Sequence, residues 1–336
     1  YIVNSCAVTR EAENKTRQLV NRVLRNNLAP RVILTGCYAR LISQEEKNPF
    51  EEPVFLLPDF PKEKEILNLV GKWWGKKFTL AEYPLPSRAR VWLKIEDGCD
   101  HFCSYCLIPH LRGNIKSEKK EKIIRQAQAL ERRGIREIVL CGVNLGYYGK
   151  NRGEKELINL LEELVDNTTL VRFRLSSFEP FLLDEEFIKR YFSLQDRVCP
   201  HFHLPLQSGS DRVLKSMRRG YDTAYYRDLV SLLRSYCSAV AISTDIIVGF
   251  PGEEKEDFEN TISFSQEVGF SRTHIFVFSP RPGTPAFLWE KEKGIPKKEK
   301  KNREKILREV ARETQKNYHR LFLGEKLKVL VESVQD

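Results

Sequence analysis

The stretch GCDHFCSYCLIPHLR, Gly98 to Arg112, decides how the whole chain reads. It holds Cys99, Cys103 and Cys106, three of the eight cysteines, in the spacing C-x3-C-x2-C. Disulfide pairing within such a trio leaves one thiol over, so a metal suits it better. Three thiolates converging from one loop can hold three corners of a cuboidal iron–sulfur cluster, leaving the fourth iron open to a further ligand. Zinc would want a fourth protein ligand, and His101 and His110 lie in the same stretch.

Outward from the loop, the chain alternates strand and helix. Strand 90–96 (RVWLKIE) leads into the cysteines, and a helix over 118–133 carries Ile123, Ile124, Ala127 and Leu130 on one face before Gly134 caps it. Strands follow at 137–141, 171–175, 201–206, 239–248 and 273–279, with helices at 155–166, 184–192, 211–218, 225–236 and 255–268 between them. Six strands joined through helices are too few for a closed eight-fold barrel. They fit a three-quarter (β/α)6 barrel, whose active site lies where the strands end.

Polar and glycine residues recur just after each strand. CGVNLG offers Gly142 and Asn144, SSFEP offers Ser176, Ser177 and Glu179, and LQSGS offers Gln207. Arg218 and Arg219 come shortly afterwards; an arginine there suits a cofactor carboxylate. Gly249 and Gly252 in VGFPGE permit close approach to a flat base, and Arg281 in SPRPGTPA could meet substrate. Each of these motifs also has a bland reading as a turn, a helix cap or surface charge. The ordered set of six, with the thiols on the first, is harder to dismiss. Cys141, Cys199 and Cys237 sit in or beside apolar runs and read as structural. His201 and His203 alternate on a strand as polar lining or as core.

Before the barrel, YIVN, RVILTG and VFLLP read as parallel strands flanked by helices over 11–25 and 62–74. Cys6 follows the first strand and Cys37 the second. Ligands of open α/β sheets bind beyond the strand carboxyl ends, so both thiols are delivered to one edge; two small buried cysteines are the alternative. FTLAEYPLPSRAR, with Pro84 and Pro86, reads as an extended linker. The charged helix over 296–317 has Ile306, Leu307, Val310 and Ala311 for a docking face, its charges reading as a solvated face or an RNA contact. Beyond it, Leu327, Val329 and Val331 alternate like a strand.

The 336 residues suffice for two domains or more, and 41% hydrophobic with 30% charged content is that of a soluble globular protein. No apolar run reaches the roughly 18 residues of a membrane span. The net charge of +10 favours a polyanion such as RNA. Eight cysteines without regular long-range spacing point to a reducing, cytoplasmic setting and metal ligation. The opening, Tyr1 inside an apolar segment, reads as a chain that begins within a domain.

The trio, with Tyr105 as the aromatic residue before its last cysteine, resembles the signature of radical S-adenosylmethionine enzymes. With NSCAVT and TGCYAR added, nearly the whole chain resembles the methylthiotransferases of that superfamily. The resemblance implies an incomplete flavodoxin-like α/β domain over 1–80 and a linker over 81–88. It further implies a radical barrel over 89–317, and over 318–336 the start of a β-structured TRAM module that binds RNA. It implies two 4Fe–4S clusters and S-adenosylmethionine. Cys99, Cys103 and Cys106 would hold the radical cluster. Cys6 and Cys37 would hold an auxiliary one, its third cysteine preceding Tyr1 in the family. Tyr105, Gly142, Asn144, Ser177, Glu179, Gln207, Arg218 and Gly249 would line the cofactor, with Arg219 and Arg281 toward substrate.

Within the family, SSFEP, HFHLPLQSGSDRVLKSMRRGY and FSPRPGTPA look most like the branch that methylthiolates carbon 2 of threonylcarbamoyladenosine beside the tRNA anticodon. A second branch acts on isopentenyladenosine in tRNA and tends to show Ser-His-Pro in place of Ser-Ser-Phe-Glu-Pro. A third acts on an aspartate of a ribosomal protein and tends to show Tyr-Pro there. A tRNA anticodon loop, a flavodoxin- or ferredoxin-type electron donor and a monomeric state are the implied partners. Competing readings are a small iron–sulfur electron carrier, against which the length argues, and a zinc-containing RNA-binding protein. A radical enzyme using its second cluster otherwise is the third.

Overall fold

The computed structural model describes residues 1–27, 29–46, 48–50, 53–58, 63–78, 89–150 and 156–331. The linker expected over 81–88 lies outside the described residues. The chain divides into two compact units. One joins Tyr1–Pro84 with Tyr105–Gly113 and Ser279–Thr284; the other comprises Leu85–Ser104, Asn114–Phe278 and Pro285–Asp336.

The first unit is a three-stranded parallel sheet in the order β1 (Ile2–Ser5), β2 (Val32–Gly36), β3 (Val54–Leu57). Every residue of β2 is buried, as a central parallel strand requires. Helix α1 (Arg10–Asn26) starts where the Thr9 side chain accepts from the Ala12 amide, and it buries Val20 and Val23. Helix α2 (Cys37–Gln44) springs directly from β2, and α3 (Glu63–Trp74) follows β3. The same core takes in Leu111 of the short helix α4 (Ile108–Arg112) and Leu107, which caps it. That helix was not legible as such, because five residues are too few to show a 3.6-residue period.

The second unit carries the barrel. Strand β4 (Arg90–Lys94) leads to a two-residue antiparallel pair, β5 (Glu96–Asp97) with β6 (Lys116–Ser117). Then come α5 (Lys120–Arg132), β7 (Glu137–Cys141), α6 (Leu157–Asp166), β8 (Arg172–Leu175), α7 (Glu185–Ser193) and β9 (His201–His203). The series continues through α8 (Asp211–Ser216), α9 (Thr223–Tyr236), β10 (Ala241–Val248), α10 (Lys255–Val268) and β11 (Arg272–Val277), and ends with α11 (Pro285–Lys293) and α12 (Lys297–Arg320). Strands pair in parallel as β4-β7-β8 and β9-β10-β11. Single parallel bridges, Phe173 to Val198 and Ser177 to His203, join the two triplets. Six strands thus run in chain order as an open arc. Among the described residues, no ladder joins β4 to β11.

Three features differ from the sequence expectation. Strand β9 stops at His203 rather than continuing to Leu206, because Pro205 has no amide to donate. Gln207, at φ +71°, then bends the chain while its amide still reaches the Asp245 carbonyl at 2.8 Å. The docking face of α12 runs through Lys300, Arg303, Leu307 and Thr314, which are buried, whereas Ile306 is exposed. Lys300 and Arg303 bury their aliphatic stems and pair their heads with Glu290 and Glu253. Leu327, Val329 and Val331 are exposed and in no strand, since alternation names a face but only a paired neighbour makes a strand. Among the described residues, no helix is long and apolar enough to cross a membrane.

Candidate active site

In the first unit, sheet register positions two thiols. Ser5 pairs with Gly36, so Cys6 and Cys37 each follow the last paired residue of neighbouring strands. Gly36 holds φ +96°, and a Cβ there would lie 2.2 Å from the Ser5 carbonyl oxygen, so only glycine allows the strands to end this close. The Ser5 hydroxyl donates to the Thr35 carbonyl at 2.5 Å and accepts from the Ala39 amide at 3.2 Å, tying the β2–α2 turn to β1. Cys37 is buried as the first residue of α2. Arg112 donates from Nε to its Sγ at 3.1 Å. Cys6 is exposed, its sulfur accepting from the Val8 amide at 3.4 Å.

Cys106 and Tyr105 also belong to this unit. The Cys106 sulfur accepts from the Ile108 amide at 3.4 Å. His110, available to zinc in the sequence, is exposed on α4. Arg281 is buried and ion-paired with Glu13, which places both within the unit's own packing.

In the second unit, Cys99 and Cys103 sit in the loop beyond β5. Ser104 pins that loop, donating its amide to the Met217 carbonyl at 3.1 Å and its hydroxyl to the Ser216 carbonyl at 2.8 Å. Cys103 is buried, and its sulfur accepts from Arg219 Nη1 at 3.2 Å. Burial pushes the Cys103 thiol up, but the His101 hydrogen bond and the Arg219 charge outweigh it and bring it below the ordinary thiol value. The same hydrogen bond raises His101. Burial dominates at Cys99, whose thiol is pushed up to about 11.

Arg219 is buried and pairs with Glu179. It also donates to the Tyr221 hydroxyl at 3.1 Å, which itself donates to the Pro205 carbonyl at 2.5 Å. Glu179 and Arg219, read separately in the sequence, are therefore one ion pair beside Cys103. Arg218, by contrast, is exposed with φ +59°.

A second group lies after β7. The Asn144 amide donates to Glu96 Oε2 at 3.0 Å, and a Cβ at Gly142 would lie 2.4 Å from that oxygen. Both side-chain amide atoms of Asn144 and Oε1 of Glu96 are buried without a hydrogen-bond partner. Burial raises the Glu96 carboxyl to about 7. Such unpaired buried polar atoms are expensive unless a ligand meets them. Glu96 was missed in the sequence, although as the last residue of the strand segment RVWLKIE it carried the same polar strand-end signal as Asn144.

The remaining expected residues have accounts within the fold. Ser177 bridges to His203 and accepts at its carbonyl from the Leu145 amide at 3.2 Å. Gly249, at φ +76°, donates to Glu253 Oε2 at 2.7 Å, and Lys300 Cγ lies 2.5 Å from where its Cβ would be.

Comparison with known proteins gives this geometry its context. Residues 93–265 match the model of the Radical SAM superfamily, and residues 1–56 that of the uncharacterized protein family UPF0004. The chain is 40% identical to the threonylcarbamoyladenosine tRNA methylthiotransferase MtaB of Thermotoga maritima, across 99% of this chain and 78% of that protein. It is 33% identical to the Bacillus subtilis protein of the same name, over 99% and 76% respectively. The tRNA-2-methylthio-N(6)-dimethylallyladenosine synthase of Dictyoglomus thermophilum is 34% identical, over 86% of this chain and 69% of that one. Among solved structures, the radical S-adenosylmethionine methyltransferase TsrM of Kitasatospora setae shares the fold at TM-score 0.61 and 14% identity, covering 85% of this chain and 63% of its own. The chain belongs to the radical S-adenosylmethionine superfamily, whose members use S-adenosylmethionine and a 4Fe–4S cluster, and within it to the methylthiotransferase family.

Proposed function

We propose that this protein methylthiolates carbon 2 of N6-threonylcarbamoyladenosine beside the tRNA anticodon, using two 4Fe–4S clusters. The observation that carries the reading is the pairing of Ser5 with Gly36, which sets Cys6 and Cys37 at adjacent strand ends. An enzyme that only moves hydrogen needs one cluster. One that also delivers sulfur needs a second thiol-held site, and these residues suit two of its ligands. The choice of substrate rests on the Thermotoga and Bacillus relatives, whose names specify threonylcarbamoyladenosine.

When bound at Cys99, Cys103 and Cys106, the cluster and S-adenosylmethionine supply one-electron removal of hydrogen from a C–H bond too inert for acid–base chemistry. The chain's own residues bind and orient. The unpaired atoms of Asn144 and Glu96 fit the charged amino-acid end of the cofactor, and Gly142 keeps the wall low enough for it to enter. Arg219 and Glu179 present a cation and an anion beside Cys103, so we assign Arg219 to the cofactor side. Arg218, exposed, is the better candidate of the two for the acid of the threonylcarbamoyl group. Tyr105, Ser177, Gln207 and Gly249 complete the proposed cofactor wall, whereas Arg281, buried against Glu13, is taken up by packing. An unpaired anticodon-loop base is accessible to such a site, and the net charge of +10 favours an RNA. A flavodoxin- or ferredoxin-type electron donor, a monomeric state and a cytoplasmic setting accompany the reading.

Mass spectrometry of tRNA nucleosides from cells lacking the gene tests it. Threonylcarbamoyladenosine should accumulate without its 2-methylthio form. Accumulation of isopentenyladenosine instead would transfer the chain to the branch of the Dictyoglomus relative.

A further inference from the structure

The lumen of the strand arc holds a cavity of about 440 Å³ that the proposed chemistry does not use. Trp92, Arg174, His201, His203, Arg272 and His274 are among the side chains that line it. Arg174 is paired there with Glu137, a fully buried carboxylate that it shares with Arg90 and Arg172. The histidines are the unusual part.

Parallel register explains how they meet. Ser243 on β10 lies opposite His203 on β9, and Asp245, two residues along the same face, lies opposite His274 on β11. One face of three adjacent strands therefore presents two imidazoles and a carboxylate. Their ligand atoms all lie within 4.8 Å of one another, with His203 Nε2 3.3 Å from Asp245 Oδ2. The Ser243 hydroxyl sits 2.9 Å from His203 Nδ1 and 3.0 Å from His201 Nε2, fixing the His203 ring with Nε2 toward Asp245. A hydrogen-bonded second nitrogen is the usual support of a metal-bound histidine. Burial holds His274 below the ordinary imidazole value, which keeps its lone pair available.

We propose that His203, Asp245 and His274 bind one divalent transition-metal ion, open to the lumen cavity. Metal–nitrogen bonds of about 2.1 Å place neighbouring ligand atoms roughly 3.4 Å apart in a tetrahedral shell. The His203–Asp245 separation already meets this, and the His274 ligand atom lies within 4.8 Å of both. Two histidines and one carboxylate with open positions suit zinc, cobalt or iron(II). Water or another oxygen donor from the cavity completes the shell. The ligand set shares no residue with the thiols. It meets the strand-end segments through backbone bonds, from the Gln207 amide to the Asp245 carbonyl and from the Phe178 amide to the His203 carbonyl beside the Ser177–His203 bridge.

The test uses the anaerobically reconstituted holoenzyme with its iron–sulfur sites oxidised and therefore silent in electron paramagnetic resonance. Cobalt(II) is added, bound metal is counted by equilibrium dialysis, and its high-spin signal is recorded. One cobalt per chain is expected. Asp245→Asn and His274→Gln should weaken binding at least a hundredfold with iron and sulfide content unchanged. Ser243→Ala, which removes only a hydroxyl and keeps the test open if a ligand variant misfolds, should weaken it about tenfold. No cobalt uptake at 100 times the iron-loaded protein's concentration would overturn the proposal. Binding that is indifferent to all three substitutions would do the same, since it would point to stray thiols and leave His203 and Asp245 as a simple ion pair.

Discussion

The two thiol sites of this chain are built by different means. Cys6 and Cys37 are placed by sheet regularity: adjacent parallel strands end in register, and a helix begins at once. Cys99 and Cys103 sit in irregular chain, held by hydrogen bonds from Ser104 to the end of α8 more than a hundred residues away. In each case an arginine reaches one sulfur, Arg112 at Cys37 and Arg219 at Cys103. The strand-end site is open on one side, since Cys6 is exposed. The loop site is closed enough that burial, with the negative groups around it, pushes Cys99 up to about 11. A sheet edge places a thiol without paying attention to its charge, whereas a loop must be held by partners that also set it.

The sharpest way to break the comparison is at Arg219. Its side chain is 2% exposed and its partner Glu179 15% exposed, so Arg219→Ala leaves a carboxylate buried without its cation. Loss of one partner from such a pair costs roughly 3–5 kcal/mol. Chemical denaturation of the cluster-free protein should show that loss, together with a rise in the Cys103 thiol pKa measured by alkylation rate. Arg219→Lys should recover part of the stability but not the three-way contact with Glu179, Cys103 and Tyr221, because an ammonium lacks the planar fork. Unchanged stability in Arg219→Ala would mean that the pair is not formed.

Glu96 gives the next effect, through pH. Its carboxyl titrates near 7 in the fold against 4.5 ordinarily, chiefly because it is buried. Between those values the folded chain binds more protons than the unfolded one, so this group's contribution to stability falls as pH rises through the window. The full shift amounts to about 3 kcal/mol. Cluster-free protein should therefore be less stable at pH 8 than at pH 5 by up to that amount from this residue. Glu96→Gln, which cannot ionise, should remove the dependence. An identical pH profile for both proteins would show that the carboxylate is solvated.

The same contrast explains what could be read from the sequence. The six barrel strands and the helices between them follow from hydrophobic period, because each strand buries both faces or lines a lumen. Cys6 and Cys37 were legible for the same reason: a residue just beyond a strand has a predictable position. The partners of the sulfurs were not. Arg112 closes the opening stretch, yet nothing local says that its guanidinium meets a thiol 75 positions earlier. Arg218 and Arg219 are neighbours of one residue type, and only the left-handed backbone at Arg218 decides which turns inward. His203, Asp245 and His274 lie on three strands, and their meeting depends on register that hydropathy cannot supply. Ile306 looked like a docking residue because it is apolar, while the buried face of α12 uses the stems of Lys300 and Arg303 instead.

Arg112 offers the smallest effect and the finest test of the pairing between arginine and sulfur. A hydrogen bond from a guanidinium to a sulfur bearing negative charge is worth about 2 kcal/mol, so Arg112→Ala should lower stability by no more than that. Reduction adds an electron to a thiolate-held cluster, and a cation 3.1 Å from one ligand sulfur favours the added charge. Removing it should move the potential of the cluster proposed at Cys6 and Cys37 to a more negative value. The cluster proposed at Cys99, Cys103 and Cys106 should keep its own. Redox titration followed by electron paramagnetic resonance resolves the two signals. A shift confined to the other signal, or none in either, would mean that Arg112 serves only to pack α4 and that Cys37 is not a cluster ligand. A selective shift would tie the exit of the cysteine stretch, through one side chain, to the sulfur that the strand end delivers.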